Sequence, residues 1–152
     1  AAECASALRH RRPLALALLD IDDFKRINDV HGHQTGDAVL RAVGSALAHG
    51  ARREDQVFRF GGEEFALLTP VTDLDHASIV AERLRAAVER LVVSGEAAAG
   101  QVLRVTISAG IAALADAADE ASLIEHADEA LYRAKREDKN RVVVWRPGLR
   151  AA

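Results

Sequence analysis

Two clusters of acidic residues lie at positions where their charge does not help the chain to fold: one directly follows an apolar run, and the other follows a pair of glycines. Three aspartates fall within residues 20–23, directly after the apolar run Leu14 to Leu19, and Glu63 and Glu64 follow the glycine pair 61–62. Mg²⁺ binds carboxylate oxygens and takes its remaining ligands from waters and phosphates, so two such clusters on neighbouring strands would form a metal–nucleotide site. Taken singly, the same acids are typical of solvated loops, where most acidic residues lie. The spacing alone leaves both interpretations open.

The apolar pattern predicts the elements that would position these acids. The unbroken run 14–19 is typical of a strand covered on both faces, although a buried helix segment has the same pattern. The glycine pair between runs 56–60 and 64–69 predicts a β-hairpin whose turn uses positive φ angles. Alternation over 103–111 predicts a half-buried strand. The other predicted elements are helices after residue 23, from residue 36, over 79–91 and over 123–134, a loop tip at 95–100 and a strand over 142–145. The order β-α-α-β-β-α-β-α-β predicts an α+β fold in which helices flank one sheet.

Composition narrows the class of protein. The 152 residues fit one domain, and 49% hydrophobic with 28% charged residues is typical of a soluble globular chain. No apolar run approaches the ~20 residues of a membrane-spanning helix, and no signal peptide opens the chain. A net charge of −3 argues against a general nucleic-acid binder. The single cysteine, Cys4, cannot form an internal disulfide, which favours a reducing compartment.

Five segments, in order, resemble motifs of the GGDEF domain family, the catalytic domains of bacterial diguanylate cyclases. FRFGGEEFALL, residues 58–68, resembles the signature hairpin in its GGEEF variant, and LLDIDDFKRINDVHGHQTGDAVL, residues 18–40, resembles the first metal-binding strand with the guanine-binding helices. The segments VAERLRAAV, VTISAGIA and HADEALYRAKREDKNRV follow in the family's order and spacing. The resemblance covers residues 13–145, and its five ordered motifs make it far more specific than GGEEF alone.

The resemblance implies a fold, an activity and partners. It implies a nucleotidyl-cyclase or polymerase-palm type of fold with a ferredoxin-like core and a mostly antiparallel sheet of about five strands. The implied reaction condenses two GTP into cyclic di-GMP and two pyrophosphates at the interface of an antiparallel homodimer. We expect residues 1–152 to form a single cytoplasmic catalytic domain, cut from a longer signalling protein that carries a sensory or receiver domain and any membrane anchor.

The resemblance also assigns roles to individual residues. Asp20 and Glu63 are implied to be the catalytic carboxylates, holding Mg²⁺ (or Mn²⁺) together with the backbone carbonyl of Ile21. Asn28 and Asp37 are implied to bind the guanine, because an ionised Asp accepts from the N–H groups that distinguish guanine from adenine. The residues implied to contact the triphosphate are Phe24, Lys25, Gly61, Gly62, Lys135 and Lys139.

A second site is implied beside the hairpin. Arg52 and Asp55 form an R-x-x-D element nine residues before the first glycine, and it resembles the family's product-inhibition site, with Arg83 as a further member. Arginine can bind a guanine edge through two hydrogen bonds and stack on the ring. The alternative is an ordinary charged loop at a helix end.

One departure keeps a rival hypothesis open. Family members usually have Gly-Arg where this chain has Asp138-Lys139, and an ammonium does not replace a forked guanidinium at a phosphate. The chain could therefore be a degenerate cyclase that binds GTP or cyclic di-GMP without turnover. Another nucleotidyl cyclase or polymerase palm is a second alternative, which Asn28 and Asp37 disfavour. A purely structural protein would need no acid-rich hairpin turn.

Overall fold

The computed structural model describes residue 6 and residues 9–10, 12–70, 73–94 and 102–149. The strands are β1 (Ala15–Ile21), β2 (Gln56–Arg59), β3 (Glu64–Thr69), β4 (Val93–Ser94), β5 (Val102–Leu103), β6 (Ile107–Ala113) and β7 (Val142–Val144). The helices described below are α1 (Phe24–His31), α2 (His33–Gly50), α3 (Leu74–Glu89) and α4 (Glu120–Arg136).

A five-stranded sheet of order β2-β3-β1-β6-β7 forms the centre of the domain, and only the β6–β7 pair is parallel. The α+β fold with a mostly antiparallel sheet of five strands is thus confirmed. Because β1 lies in the middle, it is buried on both faces, as its unbroken apolar run predicted. Ala17 and Leu19 face the core under α1–α3, and Leu16 and Leu18 face the core under α4.

Two details of the predicted elements are wrong. The segment 103–111 is not one half-buried strand: the chain pairs β5 with β4 in a separate two-stranded ribbon, and β6 starts at Ile107 and is buried on both faces. Its polar and small positions are buried because Ser108 bonds Asp22 and Gly110 packs against the backbone of α4. Helix α2 begins at His33, three residues before the predicted start. The predicted loop tip at 95–100 lies outside the described residues.

Among the helices of the described ranges, none is both long enough and apolar enough to cross a bilayer.

Candidate functional site

The two acidic clusters meet at one edge of the sheet. Strand β1 runs antiparallel to β3, so its carboxyl end lies beside the start of β3, and Asp20 is opposite Glu64 in the register. The N–H of Ile21 donates to the carbonyl of Glu63 at 3.3 Å, which brings the hairpin tip against the end of β1. Two acids that are 43 residues apart in the chain, Asp20 and Glu63, are therefore neighbours in the fold.

Lys135, in the last turn of α4, reaches into this cluster. Its Nζ lies 3.0 Å from Asp20 Oδ1 and 2.8 Å from Asp22 Oδ1. It also donates to the carbonyl of Ile21 at 3.4 Å. The ammonium thus lies among the oxygens at the end of β1, including two of the three that the resemblance assigns to a metal ion.

Asp22 is a structural centre that the sequence analysis did not single out from its acidic neighbours. Asp22 is only 5% exposed to solvent. Besides Lys135, it accepts from Thr106 Oγ1 and Ser108 Oγ, both at 2.7 Å, and from the backbone N–H of Asn140 at 3.0 Å. No sequence signal could have found this role, because these three donors lie 84, 86 and 118 residues further along the chain.

The pKa values separate Asp22 from the other acids. Burial raises the pKa of Asp20, assisted by the charges of Asp22 and Asp128 and only partly opposed by Lys135. Burial and the charge of Asp20 also raise the pKa values of Glu63 and Glu64. Burial alone would raise the pKa of Asp22, but hydrogen bonds from Lys135, Thr106 and Ser108 outweigh it and hold that pKa low. The edge of the sheet therefore carries an excess of negative charge that a cation would relieve.

These oxygens fit a hard divalent cation whose other ligands come from elsewhere. Within the described part of the chain, no three His, Cys, Asp or Glu side chains form a cluster that could hold an ion by themselves. Mg²⁺ is usually held by one or two carboxylates and completes its shell with waters and substrate phosphates. Asp20 and Glu63, with the Ile21 carbonyl, are a donor set of that kind, and burial raises the pKa of both carboxyl groups.

Helices α1 and α2 form a hairpin that brings the two predicted guanine-binding residues to one place. Gly32 separates the helices with a φ of 86°. A Cβ on Gly36 would lie 1.8 Å from Asn28 Oδ1, so the Asn28 amide rests directly on the backbone beside Asp37. The hydroxyl of Thr35 is buried there without a hydrogen-bond partner. The helical pattern predicted a helix start at Gly36, whereas the main role of this glycine is to make room for Asn28.

The start of α1 presents free backbone N–H groups. Asp23 precedes the helix in the left-handed region, with a φ of 57°, and its side chain makes no capping hydrogen bond. Lys139 Nζ lies 2.6 Å from Asp23 Oδ1, which places this lysine at the same helix end. Lys25 is exposed, whereas Phe24 is only 7% exposed, with its side chain in the core. The backbone of Phe24 is thus more accessible to a ligand than its buried ring, and the helix end as a whole suits an anion.

The glycine pair does not have the backbone conformation that the sequence predicted for its turn. Of the described glycines, only Gly32 and Gly148 have positive φ angles, so the prediction that the 61–62 turn needs them is wrong. A Cβ on Gly61 would lie 3.2 Å from Glu64 Oε2, and one on Gly62 would meet nothing within 4 Å. Arg59 Nε donates to both glycine carbonyls, at 3.0 and 3.1 Å, and holds the turn. The glycines therefore leave the hairpin tip bare, so that a ligand can approach its backbone.

The turn that follows α4 has an unusual backbone. Asp138, Lys139 and Asn140 have consecutive φ values of 72°, 59° and 45°. Asp and Asn tolerate this left-handed region better than most residues, while Lys does not share that tolerance. The position where the family usually has glycine is thus one where glycine is physically favoured.

The residues of the implied second site also lie together. Asp55 Oδ2 accepts from the backbone N–H of Arg52 at 2.8 Å, and its other oxygen is buried without a hydrogen-bond partner. Arg83 Nη2 donates to the carbonyl of Gly50 at 2.6 Å, two residues before Arg52. This corner therefore combines two arginines with a carboxylate oxygen that lacks a donor.

Comparison with known proteins places these features in a family. The family model described as "Diguanylate cyclase, GGDEF domain" matches residues 1–141. The chain is 41% identical over 147 residues to diguanylate cyclase DosC of Escherichia coli K12, covering 97% of this chain and 32% of that protein. It is 45% identical over 140 residues to diguanylate cyclase DgcP of Pseudomonas aeruginosa, covering 91% of this chain and 20% of that protein. The chain thus spans a third or less of these curated relatives.

Solved structures of GGDEF domains have the same fold as this chain. The GGDEF domain of DgcB from Caulobacter crescentus, in complex with c-di-GMP, superposes with a TM-score of 0.85 at 36% identity, over 93% of this chain and 82% of that one. The active GGEEF domain of a diguanylate cyclase from Vibrio cholerae gives a TM-score of 0.83 at 33% identity, over 95% and 90% of the two chains.

Proposed function

Because the chain belongs to the GGDEF domain family of diguanylate cyclases, we propose that it condenses two GTP molecules into cyclic di-GMP with release of two pyrophosphates. One observation carries the proposal beyond family membership: Asp20, Glu63 and Lys135 come together at the end of β1, next to the start of α1. A site for a metal–triphosphate needs this combination of carboxylates, a cation and free N–H groups.

In this proposal, the α1–α2 hairpin holds the base. Asp37 accepts hydrogen bonds from guanine N1–H and N2–H₂, and the Asn28 amide, fixed against Gly36, pairs with the purine edge. The phosphates lie at the start of α1 and along the bare hairpin tip. Lys25, Lys135 and Lys139 place positive charge near the β- and γ-oxygens.

Asp20, Glu63 and the carbonyl of Ile21 would hold Mg²⁺, or Mn²⁺ in its place. When bound, the ion supplies positive charge that offsets the charge on the phosphoryl oxygens. The 3′-hydroxyl of one GTP attacks the α-phosphorus of the other, a new P–O bond forms and pyrophosphate leaves; the step repeats with the roles exchanged. The residues of the chain act chiefly by positioning the two nucleotides in line.

Each domain holds one GTP in this proposal, so two copies must face each other in antiparallel orientation. The test is to incubate the purified chain with GTP and Mg²⁺ and to quantify cyclic di-GMP and pyrophosphate over a dilution series. We expect both products in a ratio of about one to two, with a specific activity that rises with protein concentration because the two half-sites meet bimolecularly. Binding of GTP without product at any concentration would instead establish the degenerate, non-catalytic alternative.

We also propose that this is one cytoplasmic catalytic domain of a longer protein whose sensory or receiver domain controls the meeting of two copies. The relatives that support this proposal are several times longer than the matched region. Co-expression of the full-length protein with a cyclic di-GMP reporter, with and without the remaining domains, tests it.

Base selection gives the first prediction. Asp37→Ala should weaken GTP binding by about 1.5–3 kcal/mol, because charge-assisted hydrogen bonds to guanine are lost. ATP binding should change little, since adenine offers no N1–H donor to this carboxylate. Calorimetric titration of both nucleotides measures the difference, and Asp29→Ala, which removes an exposed acid of α1, is the control. Equal losses for GTP and ATP would show that the base is recognised elsewhere.

Product inhibition gives the second prediction. We propose that Arg52, Asp55 and Arg83 bind cyclic di-GMP and hold two domains where their hairpins cannot meet. Arg52→Ala should relieve product inhibition about tenfold or more and spare the initial rate, because a tenfold effect corresponds to only ~1.4 kcal/mol of coupling. The loop should keep its shape, since Asp55 is bonded to the backbone N–H of Arg52 and not to its guanidinium.

The control is Arg53→Ala, which removes the neighbouring exposed arginine of the same loop. Initial rates measured with increasing cyclic di-GMP distinguish the two variants. If Arg52→Ala is inhibited by the product as strongly as Arg53→Ala and the parent are, the R-x-x-D element of this chain is only a charged loop.

A further inference from the structure

Arg85 on α3 connects two parts of the domain that are distant in sequence. Its side chain is only 14% exposed. Its guanidinium is paired with Glu82 and Glu89 on the same helix, and Nη1 also donates to Asn140 Oδ1 at 2.6 Å. An arginine satisfied by two carboxylates of its own helix needs no third partner for stability, so its contact with Asn140 points to a role in the turn that follows α4.

Asn140 extends this connection to the centre of the site. Its side chain is held by Arg85, and its backbone N–H donates to Asp22 Oδ2 at 3.0 Å. Asp22 in turn holds Lys135 Nζ at 2.8 Å. The result is one continuous path of hydrogen bonds, Arg85–Asn140–Asp22–Lys135, which we name the Arg85 relay.

The relay constrains groups that are otherwise free to move. A lysine side chain has a flexible four-carbon stem, and the Nζ of Lys135 is oriented by the oxygens of Asp20, Ile21 and Asp22. The orientation of Asp22 depends in part on the N–H of Asn140, and that N–H points inward only while residue 140 keeps its left-handed φ of 45°. Arg85 fixes residue 140 through its side chain. Lys139 belongs to the same turn, so the relay bears on both lysines.

We propose that Asn140 and Arg85 are positioning residues for the nucleotidyl-transfer site: they hold Asp22, and through it Lys135, in the arrangement needed at the triphosphate. This proposal rests on the proposed diguanylate cyclase function. Neither residue touches the substrate. Displacement of a positioned group by about 1 Å costs on the order of 100-fold in rate, so a broken relay has a large effect on turnover.

The test uses variants that break the relay without straining the fold. Asn140→Gly removes the side-chain acceptor and tolerates the left-handed backbone better than Asn does, so we expect its thermal stability to stay close to the parent's. We expect kcat to fall about tenfold or more, with a smaller change in KM for GTP. Asn140→Asp keeps an acceptor for Arg85 and tolerates the same φ, but it replaces the amide that bonds Glu89 with a carboxylate, so it should restore part of the rate.

A double-mutant cycle identifies the path. Arg85→Ala should lower kcat as Asn140→Gly does, and the double variant should be no worse than the worse single variant, because both break the same link. Glu82→Gln is the matched control: it removes an exposed partner of Arg85, leaves the Asn140 contact in place, and should keep the parental rate. A parental kcat in Asn140→Gly, or additive losses in the double variant, would overturn the proposal.

A second readout does not depend on turnover. Brief acetylation with acetic anhydride, mapped by mass spectrometry, reports how freely each lysine amine reacts. Asn140→Gly should raise the labelling of Lys135 several-fold and leave exposed Lys25 unchanged. If the parent chain makes no cyclic di-GMP, the proposed function fails, and this labelling alone decides the relay. Equal labelling of Lys135 in parent and variant would refute it.

Discussion

Glu63→Gln is expected to lower cyclic di-GMP synthesis by at least ~100-fold while the fold stays intact. Changes beside a metal ligand already cost 10- to 100-fold, so loss of a charged ligand should cost at least as much. The residue follows the bare glycine pair at the hairpin tip, and only its backbone carbonyl is bonded to β1. The variant keeps that carbonyl and the side-chain volume.

Turnover with GTP and Mg²⁺ measures the loss of synthesis. Thermal melting tests whether the fold is intact, and the melting temperature of the variant should stay within about 2 °C of the parent's. The control is Glu125→Gln, which neutralises an exposed acid on α4. Raising the Mg²⁺ concentration should partly rescue Glu63→Gln, because its defect is weaker ion binding. A variant with near-parental synthesis would remove Glu63 from the proposed metal site.

Gly110→Ala is expected to destabilise the domain by about 3 kcal/mol or more. A Cβ at this position would lie 2.2 Å from Ala127 O and 2.2 Å from Leu131 N, which are backbone atoms of α4. Overpacking a core costs typically 1–3 kcal/mol, and here no flexible side chain can give way, so the whole helix must shift. Because α4 carries Lys135, the shift should also lower turnover.

Urea denaturation of the two proteins measures this difference in the free energy of unfolding. Gly62→Ala is the matched control for stability, since its Cβ would meet nothing within 4 Å and its φ is not positive. We expect that control to unfold within about 0.5 kcal/mol of the parent. If the free energy of unfolding of Gly110→Ala is also within about 0.5 kcal/mol of the parent's, direct backbone contact does not set the distance between α4 and the sheet.

The Asp138-Lys139 departure has a clear physical consequence in the fold. Asp138 occupies a left-handed position that glycine would fill without strain, and Lys139 supplies a single ammonium, held at 2.6 Å by Asp23. The turn still presents a cation at the start of α1, but without the forked geometry of arginine.

The amino-acid sequence by itself determined the α+β order, the burial of β1 on both faces, the hairpin and the family. These features depend on local information: periodicity of apolar residues along one segment, or contiguous motifs such as GGEEF. The spacing of the acids left a metal–nucleotide site and solvated loops both open, and the resemblance to the GGDEF family implied the site at the end of β1. Local patterns failed where packing changes their meaning. Ser108 and Gly110 have the alternation of a solvent-facing strand, yet both are buried.

Only the tertiary structure decided which residues hold the site in place. Asp22 is indistinguishable from Asp20 and Asp23 in the chain, and its role depends on donors from β6 and from the turn after α4. Gly36 and Gly110 matter through close contacts with a neighbouring helix, and Asn140 matters through Arg85, 55 residues before it. Such contacts depend on strand register and on helix-to-sheet distances that must be met to within a few tenths of an ångström. Close packing of the whole core sets those distances, and no segment of the sequence encodes them alone.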